Sequence, residues 1–338
     1  MKRNLKPTLS SKKTLVVLTI VVVLIGILSL FMGDFCRLLL PVLIGILASL
    51  YLFDKNGRFS AFVSSVLILL NIAGYVFGIN YTLFSLAAVV IALLISSAFA
   101  KEQSKSDTAF IATLVSVALA VAAMLLSVMM ESGSFDIDNA IKYYTDWYKD
   151  TRQSSAELAY EWHNLFKSLF PELKDMFVQD LTVDSFAKSF DYRFNSRAIA
   201  SLILMAFTYV GISMKIFGAI VRKCSEDKSH IRQWRFAVST PYALFYVLLS
   251  FAYIFVNVPD NVFAITVQNL FCIFHVIFAY LGFKFLVSLL SKKIPSALSI
   301  LIVAAASLAL FSISPYLLAS VGVISTVRTN AQIPSKKD

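Results

Sequence analysis

Four polar residues in the long apolar stretch Val262–Leu290 are the best candidates for chemistry in this chain. Gln268, Cys272 and His275 stand at positions i, i+4 and i+7, and Asn269 follows the first of them. Residues at this spacing share one face of a helix. We therefore predict that their amide, thiol and imidazole groups bind a small polar ligand. The alternative is that they form interhelical hydrogen bonds that hold a bundle together.

A second, shorter polar face lies in the apolar stretch Phe59–Gly78. Asn71 and Tyr75 are four residues apart there, so they also share a helix face. We include both as candidate ligand-binding residues, with the same alternative of a hydrogen bond between helices.

The chain lacks the groups that most membrane enzymes and ion-driven transporters need. Every Asp and Glu falls outside the apolar stretches, whereas proton and sodium relays place carboxylates inside the membrane. No zinc-protease, serine-hydrolase or nucleotide-binding motif occurs. The three cysteines, Cys36, Cys224 and Cys272, form no paired motif. We therefore expect no enzymatic activity, no cofactor and no metal.

Composition places the chain in a lipid bilayer. Of its 338 residues, 58% are hydrophobic and 15% charged, against roughly 45–50% and about 25% in soluble proteins. Runs of about 18 or more apolar residues match the hydrocarbon thickness. Nine spans can be drawn: Thr14–Met32, Leu38–Phe53, Phe59–Gly78, Leu83–Ala100, Ala109–Met130, Ala198–Val221, Val238–Val258, Val262–Leu290 and Ser296–Ser314.

Basic residues set the predicted orientation. They precede the first span and then recur in every second loop, ending with Lys292 and Lys293. By the positive-inside rule, the N-terminus is cytoplasmic and residues 131–197 are extracytoplasmic. The same distribution explains the net charge of +10 without a nucleic-acid partner. We predict a multi-pass protein of the plasma or inner membrane.

The side of the C-terminus is left open by the sequence. Nine spans place Arg328, Lys336 and Lys337 outside, against the rule. Alternatively, Pro315 ends the last run, and Tyr316–Val327 turns back as a short or re-entrant segment.

The water-facing insert, residues 131–197, is predicted to be helical. Ile141, Tyr144 and Tyr148 share one face, and Ser154 with Glu157 matches a capping box, which indicates a helix start. The face continues with Leu158, Trp162, Leu165, Phe166 and Leu169. These aromatic residues either pack together or lie in the headgroup layer.

The predicted fold is therefore all-α, with about nine transmembrane helices and one helical extracytoplasmic insert. Its parts are a five-span bundle at 1–130, the insert at 131–197, a second bundle with a short C-terminal segment at 198–328, and a polar tail at 329–338. Small residues at four-residue spacing, such as Gly45 with Ser49 and Ala88 with Ala92, predict close contacts between spans.

Three short patches resemble the YybS-like family of uncharacterised bacterial membrane proteins. They are Leu38-Leu39-Leu40-Pro41-Val42, Leu281-Gly282 leading to Ser291-Lys292-Lys293, and Ser314-Pro315-Tyr316-Leu317-Leu318 with Gly322 and Arg328. The family is distantly similar to the substrate-binding subunits of energy-coupling-factor vitamin transporters. That similarity implies six spans with both ends cytoplasmic, which residues 1–221 would supply, and outer loops that close over a substrate.

Two functions are compatible with these features. The first is a non-enzymatic protein of the solute-binding or transport type, whose small polar ligand enters from outside. The second is a structural or regulatory envelope protein whose insert binds a partner protein. Binding of a small molecule would favour the first, and association with one envelope protein through the insert would favour the second.

Overall fold

Every regular element of the described chain is a helix, which confirms the predicted all-α class. The computed structural model describes residues 12–31, 36–76, 84–131, 136–169, 171, 181–225, 236–256, 261–309 and 314–331. Eleven α-helices are described within these ranges: α1 Lys12–Phe31, α2 Cys36–Phe53, α3 Arg58–Val76, α4 Phe84–Ala100, α5 Lys105–Glu131, α6 Ile137–Leu169, α7 Val183–Cys224, α8 Thr240–Phe255, α9 Val262–Leu290, α10 Ser296–Ala309 and α11 Ser314–Ala331.

Three helices of the described chain are long and apolar enough to cross a membrane. They contain the segments Lys105–Leu126 of α5, Ser196–Cys224 of α7 and Val262–Leu290 of α9. This is fewer than the nine predicted spans. The other six predicted spans coincide with shorter apolar helices of 10–17 described residues.

Contacts between residues divide the chain into two compact units. Unit 1 comprises Met1–Ser127 and Leu202–Ala237, and unit 2 comprises Val128–Ser201 and Val238–Asp338. The division falls within α5 and within α7. It therefore groups the insert with α8–α11, whereas the partition drawn from the sequence follows the membrane topology.

Unit 1 has an apolar core in which small residues allow close helix contact. Leu47, Leu67 and Ile95 are fully buried there, and the rings of Phe99 and Phe217 pack edge to face at 5.3 Å. A Cβ on Gly45 of α2 would lie 2.8 Å from the Ser213 carbonyl oxygen of α7. The predicted close approach at Gly45 is thus present, because only a residue without a Cβ fits there.

Unit 2 is built around α9, which packs against α8, α10 and α11. The start of α9 lies where the sequence predicts it, because the Asn261 side chain accepts a hydrogen bond from the Ala264 amide at 2.8 Å and caps the helix. Helix α8 begins after Ser239 with Pro241 in its first turn, where a proline needs no N–H donor.

The insert contains α6 and the first part of α7, and one predicted helix start inside it is wrong. Ser154 lies in the middle of the continuous helix α6, and its hydroxyl donates to the Asp150 carbonyl at 2.9 Å. A hydroxyl that bonds the preceding turn caps nothing, so the capping-box pattern was coincidental. Helix α7 runs without a break from Val183, in the insert, to Cys224.

The predicted span Ser296–Ser314 falls on two helices of the described chain. Helix α10 is described to Ala309, and Ser314 already belongs to α11, where Pro315 occupies the first turn. The Ser314 hydroxyl donates to the Ser307 carbonyl at 2.7 Å and joins the two helices. Tyr316–Val327 is therefore a separate helix segment.

Candidate functional site

Asn269 joins α9 to α7 with its side-chain amide. Its Oδ1 accepts a hydrogen bond from the Ala200 amide, and its Nδ2 donates to the Ser196 carbonyl, both at 2.8 Å. A second bond from Nδ2 reaches the Ile265 carbonyl on its own helix. The residue is buried. Because the amide oxygen and both amide hydrogens have protein partners, Asn269 fits the interhelical alternative rather than the ligand-binding one.

Gln268 faces a different neighbour and is only half satisfied. The residue is 3% exposed, and its Nε2 lies 3.4 Å from the Val256 carbonyl at the end of α8. Within the described chain its Oε1 is buried and has no hydrogen-bond partner. The Ser196 hydroxyl, which is also buried, is in the same situation. Buried polar atoms without partners are costly and few in native proteins, so each of these two atoms would gain from a polar partner.

His275 lies in an aromatic cluster formed by α8, α9 and α11. Its Nδ1 is 2.7 Å from the Tyr246 hydroxyl, and its ring is 5.1 Å from Phe271 and 4.9 Å from Tyr316. Tyr246 also stacks on Phe278 at 4.9 Å. The imidazole thus holds three helices of unit 2 together, and its second nitrogen is the group left to face other partners.

Cys272, on the predicted polar face, has a neighbour that the sequence did not single out, Arg197. It is half-buried with a free thiol, and the charge of Arg197 acts on it. Arg197 and Ser201 of α7 flank the Ser196 and Ala200 backbone groups that Asn269 binds. Asn269 and Cys272 therefore lie beside this turn of α7.

A cavity opens next to the same turn. Its volume is about 530 Å³, and Ser189, Tyr192, Arg197 and Ser201 of α7 line it. This size is within the range of small-molecule sites. One feature of the sequence points to Arg197 as a site residue. It begins an apolar run and has no acidic residue three or four positions away on either side.

Two predicted site residues are not tested. Asn71 and Tyr75 lie in α3, but their side chains are outside the part of the chain that the structure describes. Among the described residues, no group of three or more His, Cys, Asp or Glu side chains is placed to hold a metal ion.

An ordered polar cluster lies in the insert, outside the cavity. Asp191 of α7 accepts hydrogen bonds from the Tyr148 hydroxyl at 2.7 Å and from Arg152 Nε at 2.8 Å. The Arg152 bond is the main reason that the pKa of the Asp191 carboxyl is lowered, and burial together with Asp191 raises the pKa of Tyr148 to about 12. With the rings of Phe190 and Phe194 packed at a tilt against Tyr148, the cluster attaches α6 to α7.

The same face of α6 continues towards its C-terminal end with apolar side chains that are exposed. Trp162 is 51% exposed, and its neighbours at helical spacing are exposed to a similar degree: Leu158, Leu165, Phe166 and Leu169. We call these five residues the α6 stripe. The stripe was predicted either to pack within the insert or to lie in the headgroup layer, and its exposure leaves its apolar surface accessible to either environment.

No protein-family model, curated protein or solved structure matches the chain. The resemblance to the YybS-like family therefore stays a prediction, and the site has to be interpreted from its own geometry.

Proposed function

We propose that this chain is an integral membrane protein of the solute-binding or transport type, without enzymatic activity, and that it binds its ligand beside α7 and α9. One observation carries the proposal. A cavity of ligand size adjoins the turn of α7 that contacts Asn269, and the buried Ser196 hydroxyl, which has no partner in the described chain, belongs to the same turn. A pocket with a few convergent polar groups is the usual form of a small-molecule site.

The proposed membrane layout has nine apolar crossings, a cytoplasmic N-terminus and an extracytoplasmic insert. The three long helices and the positions of the six shorter apolar ones support it. Under this layout the cavity lies at the outer end of the Ser196–Cys224 span, so a ligand reaches it from outside. The YybS-like resemblance, with its distant similarity to vitamin-transporter subunits, belongs to the same proposal and agrees with solute binding.

Thermal unfolding of the purified full-length protein with a panel of vitamins, nucleosides and metal ions tests this function. We expect one compound to raise the midpoint of the wild-type protein. Ser201→Phe, which fills the cavity, should abolish the increase. Thr208→Phe, at an exposed position two turns further along α7, should retain it. If no compound stabilises the wild-type protein, or if Ser201→Phe responds equally, the proposal fails.

The α6 stripe favours a second function, in which the insert binds a partner protein of the envelope. Exposed aromatic side chains at helical spacing are typical of helix-mediated recognition. A photo-crosslinking residue at Trp162 should then capture one envelope protein in living cells, whereas the same residue at exposed Gln153 should not. Equal or absent crosslinking at both positions would argue against this alternative.

A further inference from the structure

The cavity is lined by hydrogen-bond donors around one cation. The Arg197 guanidinium is always charged and has donors only, and the hydroxyls of Ser189, Tyr192 and Ser201 can each donate. Among the described residues that line it, none is a carboxylate. Resting on the solute-binding function proposed above, we propose that this cavity binds an anionic group, a phosphate or a carboxylate, through Arg197.

Arg197 differs from three other cationic residues of the insert in its pairing with carboxylates. Arg152, Lys149 and Lys188 have carboxylate partners within 4 Å: Asp191, Asp146 and Asp184. Among the described residues, no carboxylate is bonded to Arg197. Arg197 is exposed at the start of an apolar segment, so its guanidinium is accessible to an anionic partner.

The acidic residue most able to compete for Arg197 is already engaged. Asp191 precedes Arg197 by six residues on α7, which places it about 120° around the helix. Its Oδ1 accepts from Tyr148, and both of its oxygens accept from Arg152 Nε. Because this carboxylate is held on the α6 side of the helix, the guanidinium stays available to a ligand.

The net negative charge of the insert opposes long-range attraction of anions to the cavity. Residues 131–197 carry twelve acidic and eight basic side chains. Fields between exposed charges are screened within about 10 Å at ordinary ionic strength. Selectivity for an anion therefore comes from direct contact, for which the planar fork of arginine matches phosphate and carboxylate oxygens better than a lysine does.

The anionic group has two possible sources at this position. It is either part of a free solute or the phosphate of a phospholipid headgroup, because Arg197 lies in the first turn of a span. Both present the same chemistry to the guanidinium, and the experiment separates them.

The test uses the full-length protein in two settings. In neutral detergent, sodium phosphate is compared with sodium chloride at equal ionic strength. In nanodiscs, phosphatidylcholine alone is compared with phosphatidylcholine containing phosphatidylglycerol. Thermal unfolding midpoints are measured for the wild type and for Arg197→Gln, Arg197→Lys and Arg222→Gln. Arg222, at the other end of α7, is the matched control for loss of one positive charge.

We expect at least one anion to stabilise the wild type and Arg222→Gln, and Arg197→Gln to bind it roughly 10- to 100-fold more weakly, the range for a charge-assisted contact. Arg197→Lys should lie between them. If Arg197→Gln does not fold, Arg197→Lys and Ser201→Ala still test the anion site. Both keep the positive charge and should reduce anion affinity without abolishing it.

The outcomes separate the inference of an anion site from the solute-binding function on which it rests. Stabilisation by phosphate supports both. Stabilisation by phosphatidylglycerol alone supports the anion site as a lipid site and removes the solute function from it. Anion effects that are equal in Arg197→Gln and wild type overturn the anion inference. If an uncharged solute still stabilises the protein in that case, the solute-binding function survives.

Discussion

Gly282 on α9 and Gly322 on α11 face each other where the two helices cross. A Cβ on Gly282 would collide with the Leu318 carbonyl oxygen, and a Cβ on Gly322 would collide with the Phe278 carbonyl oxygen. Phe278 and Leu318 each precede the glycine of their own helix by four residues, so the contact is reciprocal and the helices run parallel. Two of the sequence patches that resemble the YybS-like family meet at this crossing.

The first prediction concerns this crossing. Gly282→Ala and Gly322→Ala should each destabilise the protein by about 1–3 kcal/mol, because the new methyl group meets backbone that has no room to shift. Gly218→Ala is the control: its Cβ has nothing within 4 Å, and alanine favours a helix. Chemical unfolding in detergent measures all three. A Gly282→Ala protein as stable as Gly218→Ala would refute the close packing.

The second prediction concerns Asn269. Asn269→Ala should cost about 1–2 kcal/mol of stability, since it removes the bonds to Ser196 and Ala200 between α9 and α7. Thr266→Ala, at an exposed position on the same helix, should stay within about 0.5 kcal/mol of wild type. Equal stability of the two variants would show that Asn269 does not hold the helices together.

The third prediction is a pH dependence of the insert. The Asp191 carboxyl has a pKa below its ordinary 3.8, chiefly because Arg152 bonds it. A lowered folded pKa means that the carboxylate stabilises the α6–α7 contact above pH 3.8, and that this contribution is lost as the pH falls through the folded pKa. Trp147 fluorescence on α6 should report the change.

Two variants control that titration. Asp191→Asn carries no charge at any pH, so its insert should lack the acid transition seen in the wild type. Asp184→Asn removes an exposed carboxylate paired with Lys188 and should titrate like the wild type. An unchanged transition in Asp191→Asn would assign the acid response to another group.

The fourth prediction decides the side of the C-terminus. His275 contacts Tyr316, and Gly282 contacts Gly322, so α11 runs beside the second half of α9 and in the same direction. We therefore expect α11 to end on the side where α9 ends, which the positive-inside rule makes cytoplasmic.

Single cysteines in a cysteine-free background test this topology. Leu158→Cys in the insert should react with a membrane-impermeant maleimide on intact cells. Arg222→Cys and Thr329→Cys should react only after the membrane is opened. Labelling of Thr329→Cys from outside would place the C-terminus with the insert instead.

Local sequence pattern predicted where the helices lie. It did not always predict where they begin and end. Helix α9 has the predicted limits, because its apolar composition and its Asn261 cap are both local signals. The capping box at Ser154 failed for a related reason: a serine hydroxyl can bond the preceding turn as readily as the following one. Sequence spacing does not tell these apart.

The sequence alone predicts the helical content, the apolar character of the long helices and the polar face at Gln268, Asn269, Cys272 and His275. Only the tertiary structure decided what that face does. Asn269 bonds Ser196, a residue 73 positions away, and Arg197 lies beside a cavity that α7 lines. Periodicity reports which residues share a helix face. Which helix that face meets depends on packing between distant segments, and that packing gives Asn269 its interhelical contact and places Arg197 beside a cavity.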